Sequence, residues 1–224
     1  MFKELWEYLI VRNRGGINMV EAITYESMID DLSKKYLGQS KTFGILLVRP
    51  NRTAASEELL GDVQYFHHRS SNRLDIYMPG YGAYWGDEIP DAVDICKVGN
   101  QMWSYSAERF SDFIGDLERV SKWKYHSEIE LLLLDFREND ISYKNVVRVN
   151  LNAALRDGAI DSATSFIENV ICIFNKDKTA FDASDVLTLN ELGKSISDAL
   201  KEKIPFFNIF KRSRHYTVYS YSRE

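Results

Sequence analysis

The chain has 224 residues, of which 45% are hydrophobic and 27% charged, with a formal net charge of −5. That length suffices for one large domain able to bury about 70% of the surface its unfolded chain exposes, so neither a disulfide nor a metal is needed to hold it together. The apolar content excludes a disordered chain, and the mildly acidic balance excludes a protein that coats nucleic acid through general basic charge.

Thirteen Tyr, twelve Phe and four Trp make the chain rich in aromatics. Its two cysteines, Cys96 and Cys172, stand far apart in the apolar runs VDICKV and NVICIF. Free cysteine behaves as a small buried hydrophobe, so both read as reduced core thiols. The longest apolar run is about five residues, far below a membrane span. Glu4 and Glu7 interrupt the apolar pattern of the first residues, unlike a secretory leader. The expected location is the cytoplasm, with no membrane partner.

Phe2, Leu5, Trp6, Leu9 and Ile10 recur at helical spacing, and Gly15-Gly16 stop the pattern. Met19, Val20, Ile23, Met28, Ile29, Leu32 and Tyr36 predict a second helix over about 18–37, closed by Gly38. Residues 1–38 thus read as an appended helical hairpin. Phe43 to Val48 is a continuous apolar run of strand length, ended by Pro50. Thr53 or Ser56 can cap the helix that follows, whose inner stripe is Leu59, Leu60, Val63 and Phe66. Leu74, Ile76 and Met78 alternate with Asp75 and Tyr77 as a second strand. Two strands joined by one helix imply a parallel crossover.

Pro79 to Asp91 carries two prolines and three glycines and reads as a loop. Residues 92–98 and 102–105 flank Gly99-Asn100-Gln101 as a hairpin. Ser106 can cap a helix facing inward with Phe110, Phe113, Ile114, Leu117 and Val120. Ile129 to Phe136 is a second buried strand, and 143–149 is β-prone. Residues 151–174 fit helices broken near Asp157-Gly158, and 183–202 fit a further helix. The summed order predicts one α/β domain over 1–224. Its sheet is expected to be mixed, largely parallel and flanked by helices, with the N-terminal helical hairpin and a basic, aromatic C-terminal strand over 201–224.

No motif specifies a reaction. Gly38-Gln39-Ser40-Lys41-Thr42 precedes a strand instead of following one and lacks glycine before the lysine, so it is not a phosphate loop. His67 and His68 are adjacent on a helix and point about 100° apart, a poor start for a metal site. Neither cysteine lies in a nucleophile motif. The glycine-aromatic stretch 80–86 is more suggestive, because open α/β sheets bind ligands beyond the carboxyl ends of their strands.

The expected function is therefore binding of a small polar ligand, such as a nucleotide, at the carboxyl edge of the sheet. Arg49 would pair with an anionic group, Tyr81 and Trp85 would stack on a ring, and Asp135 would hold a hydroxyl or a metal. The alternative is an interaction module that takes a protein or nucleic acid through Lys211, Arg212, Arg214 and Tyr216 of the basic aromatic tail.

Overall fold

The computed structural model describes residues 19–22, 24–50, 53–69, 74–83, 89–126, 129–176 and 215–223. The strands are β1 (Met19–Ala22), β2 (Lys41–Leu47), β3 (Ile76–Pro79), β4 (Tyr81–Gly82), β5 (Val93–Val98), β6 (Gln101–Tyr105), β7 (Glu130–Arg137), β8 (Asp140–Asn150) and β9 (Tyr216–Tyr219). The helices are α1 (Tyr25–Lys35), α2 (Ala54–Gly61), α3 (Val63–Arg69), α4 (Ala107–Val120), α5 (Leu151–Arg156) and α6 (Ala163–Lys176). Six strands form one sheet in the order β1-β3-β2-β7-β8-β9, and three form a second in the order β4-β6-β5.

The expected crossover is present: β2 and β3 pair in parallel, joined through α2 and α3. Thr53 caps α2, its side chain accepting from the Ser56 N–H. The expectation of a largely parallel sheet with an N-terminal helical hairpin is corrected. Beyond β1, β3 and β2 the pairings are antiparallel, β2 with β7, β7 with β8 and β8 with β9, and the second sheet is antiparallel throughout. An apolar strand buried on both faces carries no mark of its direction. The turn after β7 does carry one, because Glu138 and Asn139 both adopt positive φ, 53° and 63°, as a tight hairpin requires.

The helix expected over 18–37 divides in two. Met19–Ala22 is the edge strand β1, paired in parallel with Ile76–Pro79. Helix α1 begins only after Thr24, whose side chain accepts from the Ser27 N–H while the Ser27 side chain bonds back to the cap. Its buried residues Tyr25, Met28 and Leu32 join the main core, so the segment is not appended. Residues 2–13 and 183–202 lie outside the described residues.

Helices α1 and α4 meet through Tyr25 and Phe113, whose rings are 5.8 Å apart. Tyr77 of β3 donates to Asp31 of α1 at 2.6 Å, which places α1 over the sheet. Helices α2 and α3 dock on α6: Ser162 donates to Glu58, and Thr164 Oγ1 donates to Asp62 at 2.9 Å. The break expected near Asp157-Gly158 separates α5 from α6. Strand β9 closes the far edge, with His215 fully buried and its Nε2 2.9 Å from Asp157 Oδ2.

Gly80 carries the chain from the large sheet to the small one. Its N–H donates to Ala22 and its carbonyl accepts from Ser106 at 2.9 Å. Its φ is +76°, and a Cβ there would stand 2.8 Å from Phe110 Cβ and 2.9 Å from the Ser106 carbonyl oxygen. Strain and overlap therefore act together. Gly80→Ala is expected to cost about 2–4 kcal/mol in denaturant unfolding. Gly61→Ala, which meets nothing within 4 Å, is expected to be neutral or to gain up to about 1 kcal/mol. Equal effects at the two glycines would contradict the tight crossing.

Candidate functional site

The parallel strands β2 and β3 end on the same side of the sheet. There the chain leaves β2 through Arg49 and Pro50 into α2, and leaves β3 through Gly80 into β4. The small sheet β4-β6-β5 stands over this end. Between it and α2 lies a groove of about 840 Å³. One wall is helical and presents Glu57, Leu60 and Gly61 of α2 with Gln64 of α3. The opposite wall is β5, which contributes five successive residues, 93–97. Pro50, Asp91, Tyr105 and Ala107 complete the lining.

Strand β5 is irregular in a way that shapes this wall. Asp94 pairs with Ser104 and Cys96 with Trp103, so Ile95 is an extra residue in a bulge. Val93 and Cys96 both stand across from the inward aromatics, Tyr105 and Trp103. Val93 is nevertheless 60% exposed, an apolar side chain that opens onto the groove. Burial pushes the Cys96 thiol up to about 11, so it is a poor nucleophile at neutral pH.

The rim is mainly acidic. Asp91 accepts from Ser106 Oγ at 2.6 Å and from the Glu108 N–H at 3.0 Å, and these bonds hold its carboxyl below the usual range. Asp94 accepts from Ser104 Oγ at 2.7 Å. With Glu57 they set three carboxylates against Lys97 along the lining. Tyr105 also lines the groove. Its phenol is pushed up to about 12, chiefly by burial, with Arg49 acting in the opposite sense.

The four residues singled out by sequence fall as follows. Arg49 is exposed at this end, its guanidinium stacked 4.7 Å from the Phe110 ring and 5.5 Å from Tyr125. Tyr81 is at the same end but buried, its OH donating to the Val48 carbonyl at 3.0 Å and its ring 4.9 Å from Tyr105. A chain of rings, Tyr81, Tyr105 and Phe110, therefore links it to Arg49. Trp85 lies outside the described residues. Asp135 is at the opposite end of the sheet, because β7 runs antiparallel to β2 and pairs Asp135 with Thr42. It is 3% exposed, accepts from Thr42 Oγ1 at 2.8 Å and is bound by Arg137.

The residue that β7 brings to the groove end is Glu130, opposite Leu47. It is fully buried and accepts from Arg148 Nε at 2.9 Å; burial raises its carboxyl above the ordinary value despite that partner. Nothing in a run of IELLLLDF distinguishes its first acid from its last without the direction of the strand. Cys96, Val93, Gln64 and Gly61, which line the groove, carry no signal in the sequence until the hairpin is folded beside the helix. Among the described residues no three His, Cys, Asp or Glu side chains come together as ligands for a metal ion, and no helix is long and apolar enough to cross a membrane. Lys211, Arg212 and Arg214 lie outside the described residues; Tyr216 is the first residue of β9 and pairs with Val149.

Comparisons with protein-family models, with curated proteins and with solved structures find no match.

The rim of the crossing contains one further testable carboxyl. Glu21, at the end of β1, accepts from the Ala83 N–H at 2.9 Å. Burial raises its carboxyl above the ordinary value. A raised carboxyl favours folding below its unfolded value, and that contribution is lost as pH rises through the folded value. Glu21→Gln keeps the acceptor and removes the charge. It is expected to raise Tm at pH 7, with the gain shrinking as the pH approaches 4 and the native carboxyl protonates. A Tm difference that is constant from pH 4 to 7 would show that burial of the charge is not the cause.

Proposed function

We propose that the protein is a binding protein whose ligand occupies the groove between α2–α3 and β5. The observation that carries this reading is the groove itself: about 840 Å³, at the carboxyl end of β2, lined by apolar and polar side chains together. Ligand sites fall in the range of about 300–1,000 Å³ and favour this end of parallel strands. Leu60, Val93 and Cys96 offer apolar contact, and Gln64 and Tyr105 offer hydrogen bonds. The excess of carboxylates over Lys97 favours a polar ligand that is neutral or cationic over one carrying a polyphosphate. Arg49 is the proposed contact for any acidic group that such a ligand extends past the rim. Asp135 has no part in this reading, since its oxygens are engaged at the other end of the sheet.

The test is a melting-temperature panel of nucleotides, sugars, amino acids, polyamines and short peptides, repeated with Gly61→Trp. Gly61 lines the groove and a Cβ there meets nothing within 4 Å, so tryptophan is the substitution chosen to occupy it. At least one compound is expected to raise Tm in proportion to the logarithm of its concentration, and the variant, melting like the wild type, is expected to lose that response. A panel without effect, or a response that survives Gly61→Trp, would refute the reading.

A further inference from the structure

Arg49 is exposed, yet it is fixed by aromatic rings and not by an ion pair. Its guanidinium carbon stands 4.7 Å from the centre of the Phe110 ring and 5.5 Å from that of Tyr125. Ring faces attract a cation without taking up its in-plane N–H donors. Among the described residues no carboxylate, hydroxyl or carbonyl accepts from Arg49, so those donors are left for a ligand. A planar fork whose position is set in advance suits a carboxylate, which it can hold through two parallel hydrogen bonds. Lys97 of the groove wall is a point charge on a flexible stem and lacks that geometry.

Arg49 stands at the Tyr105 end of the groove. It precedes Pro50 of the lining, and the Phe110 ring that carries it is 6.0 Å from the ring of Tyr105, another lining residue. The Tyr105 phenol is acted on by Arg49 and by Asp91 in opposite senses, so a cation and an anion bear on one lining side chain. Carboxylates that the fold leaves wholly or partly unengaged stand along the same lining. Glu57 is exposed, and among the described residues nothing donates to its side chain. Asp94 commits Oδ1 to Ser104.

We propose that the ligand of the groove is a free amino acid with an apolar side chain, its carboxylate on the Arg49 fork, its ammonium toward Glu57 and Asp94, and its side chain against Leu60, Val93 and Cys96. This rests on the groove being a binding site. Such a ligand is neutral overall and meets both signs of charge. A phosphate monoester would set two negative charges against Asp91, Asp94 and Glu57, and a polyamine would leave Arg49 opposite a like charge. Val93 is 60% exposed, so covering it removes apolar surface from water.

The experiment is calorimetric titration of the full chain with L-leucine and L-phenylalanine. Two matched compounds accompany them: L-phenylalaninamide, which lacks the carboxylate, and 3-phenylpropanoate, which lacks the amine. The amino acids are expected to bind, and loss of either charge is expected to weaken binding by about tenfold or more, the size of a charge-assisted hydrogen bond. Arg49→Lys keeps a cation over the rings and removes the fork. It is expected to weaken phenylalanine by about tenfold and to leave the amide unchanged. Glu57→Gln is expected to weaken phenylalanine and to leave 3-phenylpropanoate unchanged. The compound series on the wild-type chain carries the test even if a variant folds poorly. Equal binding of phenylalanine, its amide and 3-phenylpropanoate would overturn the inference, as would an Arg49→Lys effect as large on the amide as on the amino acid. A nucleotide, sugar or polyamine that binds and is blocked by Gly61→Trp, while no amino acid binds, would also overturn it, yet would keep the groove as a site. Silence from every compound would remove the groove reading as well.

Discussion

Strand β2 is paired in opposite senses on its two sides, in parallel with β3 and antiparallel with β7, and the placement of every other feature follows from that. Its antiparallel ladder runs without a break from Lys41 opposite Phe136 to Leu47 opposite Glu130. All of β2 beyond Lys41 is buried, as is all of β7 before Arg137. A slip of one residue would turn Phe43 and Ile45 away from their face of the sheet and put Thr42 in their place. The register is further held at one end by the Thr42–Asp135 hydrogen bond and at the other by the burial of Glu130 with Arg148. Removing one member of such a buried pair leaves the other uncompensated, which makes these contacts more useful for fixing register than for adding net stability.

The two ends of the sheet consequently differ in chemistry. The end containing the amino terminus of β2 is a closed polar network. Asp75 is held by Tyr36 at 2.9 Å and lies near Lys35, Lys35 also pairs with Asp31, and Asp135 is bound by Thr42 and Arg137. Its carboxylates are spent on the fold. The carboxyl end of β2 differs, because the chain there crosses at Gly80 into a small sheet whose strand β5 lies beside α2 and α3. Tyr81, Tyr105 and Phe110 fill the space beneath that sheet and hold Arg49 at its margin. What remains between the hairpin and the helix is the groove.

Much of the fold is legible in the residues. The apolar spacing of Phe110, Phe113, Ile114 and Leu117 after Ser106 gives α4 with its cap, and all four are buried. The run Phe43–Val48, the crossover to Ile76, the hairpin about Gly99 and the break at Asp157-Gly158 are likewise where their patterns place them. Direction and pairing are less legible. A run of four leucines reads the same in either sense, so it does not show at which end of the sheet Asp135 lies, and the signal that orients it, the Glu138-Asn139 turn, is weak because neither residue is glycine. Met19 and Val20 satisfy helical and strand spacing equally, and only contact with β3 decides between them. The groove was illegible for a different reason. Its walls are ordinary residues of a helix face and a strand edge, and they become a site only by standing opposite each other.

The central claim is that the antiparallel ladder separates the groove from Asp135 and its neighbours. Spin labels at Ala54, the first residue of α2 after β2, and at Glu138, the residue after β7, test it directly in a background lacking Cys96 and Cys172. Both positions are exposed. The account predicts a label separation of about 20 Å or more, the length of a seven-residue strand. A separation below about 15 Å would place the two carboxyl ends together, as in a parallel sheet, and would contradict it.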